Sequence, residues 1–251
     1  MNLKLRNKNV LVTGASRGIG LDIAKKLLSE GCNVVINSRD KDALRKITTL
    51  YPDMNYAQGD VTCEVSSKEI IAKTIDILGS LDILICNVGD GKSVPLGSEN
   101  KEAWNQSFSI NLFSAINMIQ ESREWLAKTQ GSIICISSIC GHEIIDGAPL
   151  TYSVAKNALN FYIKGISKYL SKFNVRINGI SPGNILFEGS SWDIKIKENK
   201  TKVLNMIKKE VPLNKFGNPE NISDAVAFLC SSKANFITGD IWVIDGGQIK
   251  S

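Results

Sequence analysis

The stretch TGASRGIG, residues 13–20, decides the fold of this chain. It follows the apolar run VLV at 10–12 and precedes apolar residues with helical spacing. Its three glycines leave the backbone nearly bare where a strand turns into a helix. Such a turn is either a tight structural corner or a place where a ligand lies against the backbone.

The bulk composition of the 251-residue chain is that of one large α/β domain, which we expect to span residues 1–251. Hydrophobic residues make up 43%, and the net charge of +5 is too small to indicate nucleic acid. The segment MNLKLRNKN at 1–9 does not resemble a signal peptide, and no apolar run approaches the ~20 residues of a membrane helix. We expect a cytoplasmic protein with neither nucleic acid nor membrane as partner.

The cysteine and histidine content narrows the chemistry. Six cysteines occur without a CxxC motif, which predicts reduced thiols that act mostly as small core residues. His142 is the only histidine, so a His-rich metal site is excluded and we expect no metal.

Seven short apolar runs alternate with amphipathic stretches along the chain, at 9–13, 33–37, 55–60, 81–87, 132–138, 175–181 and 241–245. Near-continuous Val, Ile and Leu runs separated by helices predict a doubly wound parallel sheet with helices on both faces. Gly31 and Gly79 are predicted helix ends, and the serines at 66–67 are predicted to cap the helix that follows them.

In this architecture Gly14, Gly18 and Gly20 fall at the first strand-to-helix turn, where backbone amides and a helix N-terminus can face the phosphates of a dinucleotide. The alternative, a purely structural turn, stays open on the glycines alone.

A second constellation lies at TYSVAK, 151–156, directly after a predicted strand that ends in Ser137 and Ser138. Tyr152 and Lys156 are four residues apart and share one helix face. Together with Ser138 they supply a hydroxyl, a phenol and a cation, which suit proton transfer between a carbonyl and an alcohol. An adjacent ammonium is expected to lower the phenol pKa from its usual value of about 10.

At this point the chain resembles the short-chain dehydrogenase/reductase family nearly end to end. The resemblance includes TGASRGIG, GDVT at 59–62, CNVG at 86–89, INL at 110–112, ISSICG at 136–141, YSVAK at 152–156, SPGNI at 181–185, PLNKFGNPE at 212–220 and FITGDIWVIDGG at 236–247. The family fold is a single-domain Rossmann fold with a seven-stranded parallel sheet. Family members are usually tetramers, so the resemblance implies a homotetramer.

The resemblance also implies roles for matching residues. The catalytic set is Asn111, Ser138, Tyr152 and Lys156, with Tyr152 as proton donor or acceptor, Ser138 on the substrate oxygen, Lys156 on the nicotinamide ribose and Asn111 holding a relay water. The implied cofactor contacts also include Gly14, Ser16, Arg17, Gly18, Ile19, Gly20, Ser38, Arg39, Asp60, Val61, Asn87, Gly89, Pro182, Gly183 and Ile185.

Three positions depart from the family pattern. CNVG replaces the usual Asn-Asn-Ala-Gly, and Tyr152 comes one residue later after Ser138 than the commonest spacing. Phe187 stands where a threonine usually contacts the nicotinamide carboxamide, so that hydroxyl is missing. None of these changes removes a catalytic group.

The end of the second strand indicates the cofactor type. Ser38 occupies the place where NAD-preferring relatives carry an aspartate, and Arg39 follows it. Arg17 in the glycine turn can reach the same region. Two guanidiniums without the acidic residue favour a 2′-phosphate and hence NADP(H); the alternative is that both arginines are solvated surface charges.

The substrate is the least determined part. Residues 186–210 occupy the variable lid region and carry six lysines, which either attract an anionic substrate such as a sugar derivative or form a solvated face, the simpler interpretation. Cys140, His142, Phe187 and Trp192 are candidates for lining the pocket.

The expected function is NADP(H)-dependent interconversion of a carbonyl and a secondary alcohol in a small molecule. Two alternatives stay open: a 3-oxoacyl-carrier-protein reductase, with Lys128, Lys168 and Lys172 near a docked carrier, and a non-catalytic NADP-binding redox sensor.

Overall fold

The computed structural model describes residues 2–250 and contains a seven-stranded sheet in which all paired strands run parallel, in the order β3-β2-β1-β4-β5-β6-β7. The strands are β1 Asn9–Val12, β2 Asn33–Ser38, β3 Met54–Gln58, β4 Ile83–Cys86, β5 Ser132–Ile136, β6 Arg176–Pro182 and β7 Ile241–Ile244. The doubly wound parallel sheet predicted from the apolar runs is confirmed.

The α-helices within residues 2–250 are α1 Gly18–Ser29, α2 Lys41–Leu50, α3 Glu64–Leu78, α4 Lys101–Phe108, α5 Ser114–Thr129, α6 Leu150–Leu170, α7 Ser191–Glu210 and α8 Pro219–Cys230. A wider π-helical segment, Ser109–Phe113, joins α4 to α5. Over the same residues, the length and apolarity that a bilayer crossing requires are not combined in any helix.

Alternation along the strands builds a core on each face of the sheet. Val10 and Val12 of β1 pack in the cluster that includes Ile23 of α1 and Val226 of α8. Leu11, between them in sequence, packs in the other cluster with residues of α3, α5 and α6. Because both faces are covered, β1 is apolar at every position after Asn9.

The sheet places the glycine turn and the segment at Asn87 together at the carboxyl ends of its strands. β1 pairs with both β2 and β4, so the strand order reverses beside β1. The carboxyl ends of β1 and β4 therefore lead out side by side into the glycine turn and the segment that starts at Asn87, which is where this architecture forms ligand crevices.

Both predicted helix ends are confirmed. Gly79 follows α3 in the left-handed conformation, with φ of +78°, and Gly31 lies just after α1 with φ of +85°. The predicted serine cap is wrong, because α3 begins at Glu64, before the serines. Ser66 Oγ instead accepts from the Asp60 amide at 2.9 Å, and Ser67 Oγ donates to the Val61 carbonyl at 3.2 Å. The serines fix the GDVT loop rather than the helix start.

The predicted lid contains α7, which is kinked. Asn199 has non-helical angles, φ −155° and ψ 83°, and its side chain accepts from the Lys202 amide at 3.0 Å. Val203 and Ile207 in the second half are buried, whereas no residue of 191–198 is. The first half of α7 therefore contributes less to the core than the second.

Candidate active site

The glycine turn is fixed from the neighbouring strand by Asn87. Asn87 Nδ2 donates to the carbonyls of Thr13 at 3.1 Å and Gly14 at 3.0 Å, and its amide donates to Thr13 Oγ1 at 3.0 Å. A Cβ at Gly20 would collide with Asn87 Nδ2, so glycine is required there for close packing of α1 on the strand ends. Gly14 and Gly18 have φ of +61° and +57°, a region that glycine adopts without strain.

Ser138, Tyr152 and Lys156 are brought together at the carboxyl end of β5. Ser138 and Lys156 are buried, with Lys156 only 2% exposed, and the Ser138 side chain lies near enough to the Tyr152 hydroxyl to affect its pKa. Lys156 Nζ lies 5.9 Å from the centroid of the Tyr152 ring and donates to the Ile136 carbonyl at 2.9 Å. The helix spacing predicted for Tyr152 and Lys156 is the one that α6 shows.

Asn111 approaches the same place from the π-helical segment. Its Oδ1 accepts from the Asp90 amide at 2.9 Å, and its Nδ2 donates to the carbonyls of Asp90 and Ser107, each at 3.0 Å. A Cβ on Gly89 would lie 3.0 Å from Lys156 Nζ and 3.2 Å from Asn111 Oδ1. Both polar groups therefore face the backbone at Gly89, and a side chain there would crowd them.

Burial shifts the ionisation of the two titratable groups in this cluster. It raises the pKa of Tyr152 to about 12, and the Ser138 side chain opposes the rise. It lowers the pKa of Lys156 to about 8. The expected lowering of the Tyr152 pKa is thus wrong for the chain's own groups, because loss of solvent outweighs them. The protein keeps the phenol protonated at neutral pH.

The region predicted to select the cofactor contains an ion pair. Arg39 Nη1 lies 3.5 Å from Asp60 Oδ2, and 76% of the Arg39 side chain is exposed. Asp60 also accepts from the amide and hydroxyl of Thr62. Burial raises the pKa of Asp60, but the bonds from Thr62 and the ion pair with Arg39 together hold that pKa below its usual range. Asp40 caps α2 by accepting from the Ala43 amide, so its carboxylate is committed to the helix.

The segment after β6 crosses the sheet edge close to β7. Gly183 donates its amide to the Ile244 carbonyl at 2.9 Å, and a Cβ on Gly183 would lie 2.7 Å from Asp245 Cα. Ile185 is buried and pairs with Gly217. Pro182, Gly183 and Ile185 therefore lie, like Ser138, at the carboxyl ends of the strands.

Of the four candidate substrate residues, Cys140 directly contacts the cluster of Ser138, Tyr152 and Lys156. Its amide donates to Ser138 Oγ at 3.2 Å, and burial raises the pKa of its thiol. His142 Nε2 lies 2.9 Å from Ser181 Oγ, which ties the Ser138 loop to β6. Burial lowers the pKa of His142 and so favours the neutral imidazole. Trp192 packs on Phe216 with ring centroids 5.6 Å apart.

Phe187 has a position that the sequence did not predict. Its ring lies on Gly18, so that a Cβ there would collide with the ring atoms. Next to it, Arg17 Nη1 donates to the Gly189 carbonyl at 2.9 Å. The missing side chain at Gly18 thus leaves a cradle, as expected for a dinucleotide phosphate, and the residues fit that group once Phe187 moves away. In the sequence, the departure of Phe187 from the family pattern was the sign of an unusual contact here. Nothing at Gly189 indicated that its carbonyl would accept from Arg17.

The lid lysines are partly engaged in local contacts. Lys197 pairs with Asp193 at 2.8 Å, and Lys195 lies 4.6 Å from the Trp192 ring centroid. Neither contact points to an anion-binding arrangement.

The chain is similar in sequence to known oxidoreductases over nearly its whole length. The family model described as "Enoyl-(Acyl carrier protein) reductase" matches residues 14–248. The chain is 31% identical to the 3-oxoacyl-[acyl-carrier-protein] reductase FabG of Aquifex aeolicus, over 99% of this chain and 100% of that protein. It is 32% identical to dehydrogenase/reductase SDR family member 4 of Rattus norvegicus, over 97% of this chain and 88% of that protein.

Among solved structures, L-sorbose reductase of Gluconobacter frateurii, complexed with NADPH and L-sorbose, superposes with a TM-score of 0.92 at 26% identity and covers all of both chains.

Proposed function

The chain belongs to the short-chain dehydrogenase/reductase family of nicotinamide-dependent oxidoreductases, and from that premise we propose that it interconverts a carbonyl and a secondary alcohol with NADP(H). The observation that carries the proposal is the convergence of Asn111, Ser138, Tyr152 and Lys156 beside the glycine turn. These groups form a proton-transfer site next to a site for phosphates.

Bound NADPH supplies the hydride for reduction of the substrate carbon. Ser138 donates a hydrogen bond to the carbonyl oxygen, and Tyr152, kept protonated by its buried position, transfers its proton to that oxygen. Lys156 holds the nicotinamide ribose, and Asn111 holds the Asp90–Gly91 backbone against the Tyr152 ring. In the oxidative direction the same groups act in reverse.

The preference for NADP(H) rests on Arg17 and Arg39, with Ser38 leaving no carboxylate at the place where a ribose 2′-hydroxyl would be selected. Arg39 now pairs with Asp60, and a dianionic phosphate is a stronger partner for a guanidinium than one carboxylate. The remaining cofactor contacts are proposed as the resemblance assigns them. A homotetramer in the cytoplasm is proposed with them.

The test of the reaction compares wild type with Tyr152→Phe on a panel of ketones, keto-sugars and acyl thioesters, followed by NADPH absorbance. We expect Tyr152→Phe to abolish turnover while NADPH binding persists, because only the transferable proton is lost. Tyr169→Phe, on the same helix, is the matched control and should stay active. Near-wild-type turnover by Tyr152→Phe would show that the proton comes from elsewhere, and a chain that binds NADPH but reduces nothing would favour the redox-sensor alternative.

The second candidate is a 3-oxoacyl-carrier-protein reductase, favoured by the similarity to the Aquifex aeolicus enzyme. Carrier docking needs basic residues beside the crevice. A carrier-bound substrate should then react faster than a small thioester, and Lys168→Ala with Lys172→Ala should remove that difference. If the substrate is instead an anionic sugar derivative, the double variant Lys195→Ala, Lys197→Ala should lower kcat/KM for that substrate.

A further inference from the structure

A mostly unburied segment covers the glycine turn. We define the gate as residues 186–198, which run from the pairing of Ile185 with Gly217 to the kink in α7. We propose that the gate closes the diphosphate site, with Phe187 as its plug and Arg17 as its latch, and that it must open before NADP(H) can bind. The proposal rests on the proposed function and adds a residue that sets cofactor affinity and selectivity.

The plug is the Phe187 ring on Gly18. The first amides of a helix lack partners within it, and α1 begins at Gly18, so this surface is where a diphosphate would accept hydrogen bonds. An apolar ring and a phosphate cannot occupy the same surface of one glycine. Binding therefore requires Phe187 to leave.

The latch is the hydrogen bond from Arg17 Nη1 to the Gly189 carbonyl. Opening of the gate breaks this bond for any cofactor. The 2′-phosphate of NADP(H) gives the freed guanidinium a charged partner stronger than the neutral carbonyl, whereas NAD(H) offers no phosphate at that position. The latch thus adds to the preference for NADP(H) beyond the direct contact of Arg39.

The gate is built to move as a unit. Within residues 186–198 only Ser190 is buried, and it caps α7 by accepting from the Asp193 amide at 3.1 Å. Gly189 has φ of +74° and Asn199 breaks the helix, which provides a bend at each end of the first half of α7. Movement of this segment leaves Val203 and Ile207 in the core.

A gate that is mostly closed has a kinetic signature. The apparent affinity for the cofactor equals the affinity of the open form multiplied by the fraction of molecules that are open. When opening is slow, the observed binding rate stops rising with cofactor concentration and levels off at the opening rate.

The experiment is stopped-flow binding of NADPH, followed by intrinsic fluorescence, with Trp192 inside the gate as the reporter. We expect a rate that levels off for wild type. Phe187→Thr should give a rate that rises linearly and exceeds the wild-type plateau about tenfold, with a lower Kd. Ile194→Thr replaces an exposed apolar residue of the same gate without touching Gly18 and should behave as wild type.

Two further measurements keep the proposal testable without turnover. Without cofactor, acrylamide should quench the fluorescence of Trp192 more in Phe187→Thr than in wild type, because the Trp192 ring packs on Phe216, outside the gate, with ring centroids 5.6 Å apart. Trp192→Phe in each background isolates the Trp192 signal. Arg17→Met should speed association of NADH, which loses nothing from the missing guanidinium.

The outcomes separate the two proposals. If NADPH binds wild type and Phe187→Thr with the same concentration dependence, and quenching of Trp192 is unchanged, the gate is refuted while the proposed function stands. If NADPH binds no variant, both are refuted.

Discussion

Loss of contact with solvent governs the ionisation of Tyr152 and Lys156. Lys156 is buried and donates a hydrogen bond to the Ile136 carbonyl, and its pKa is lowered. Tyr152 holds its proton more tightly than a free phenol does, because burial raises its pKa to about 12. The sequence predicted which residues meet, because their spacing on α6 and the strand end before it are local signals. It did not predict the sign of the Tyr152 pKa shift, since burial depends on segments distant in sequence, including the Asp90–Gly91 backbone.

The buried Lys156 predicts a specific pH dependence of stability. Its pKa of about 8 lies below the model-peptide value of 10.5, so the unfolded chain binds more protons between these values and this group's penalty is full below pH 8. Lys156→Met should remove a penalty on the order of 3 kcal/mol. Its gain in unfolding free energy over wild type should therefore be largest near pH 7 and shrink toward pH 10.5.

Urea unfolding at several pH values measures this difference. Loss of the hydrogen bond to the Ile136 carbonyl lowers the free energy of unfolding by the same amount at every pH. The pH dependence of the difference between Lys156→Met and wild type is therefore unchanged by it. Lys68→Met, at an exposed position of α3, is the control. A Lys156→Met difference that stays constant from pH 7 to pH 10 would contradict the burial argument.

A second residue-scale prediction concerns cofactor choice. Wild type should bind NADPH at least tenfold more tightly than NADH, about 1.4 kcal/mol. Arg39→Ala should erase most of that gap, because it removes a guanidinium and leaves the Asp60 carboxylate without its cation. Calorimetric titration measures both constants, with exposed Arg45→Ala as control. Equal or tighter NADH binding by wild type would overturn the assignment of Arg17 and Arg39.

At the scale of elements, strands were easier to predict than helix ends. The apolar runs gave each strand with neither end off by more than two residues, because burial on both faces leaves a continuous signal. The start of α3 was predicted wrongly because Ser66 and Ser67 bond to the GDVT loop. The kink at Asn199 was not predicted either, since nothing in the spacing of the α7 lysines marks it.

The start of α8 provides an element-scale test. Asn218 Oδ1 accepts from the Asn221 amide at 3.0 Å, and Asn221 Oδ1 accepts from the Asn218 amide at 3.0 Å, which completes a capping box. Asn218→Ala should lower the free energy of unfolding by about 1 kcal/mol while NADPH affinity is unchanged. Thermal unfolding measures it, and Asn105→Ala, exposed within α4, should be near neutral. Loss of NADPH binding alongside would mean that α8 shapes the site directly.

At the scale of the whole molecule, large apolar side chains stay exposed on the α5–α6 side. Phe113, Phe161, Tyr169 and Phe173 are between 42% and 77% exposed. One face of α6 packs on the sheet, so the opposite face is free to bind another copy. We expect a homotetramer, or at least a dimer, by light scattering at micromolar concentration, and Phe161→Asp should yield smaller particles. A monomeric wild type would reject this prediction.

Glu143 connects the segment after β7 to the loop that carries Ser138. The Lys250 amide donates to Glu143 Oε1 at 2.8 Å, so a movement at Lys250 reaches that loop. A bulky fusion joined close after Lys250 would therefore strain the loop beside Ser138. β1, in contrast, begins at the amino ends of the strands, away from the crevice at their carboxyl ends. For kinetic work, a tag is better placed ahead of β1 than behind Lys250.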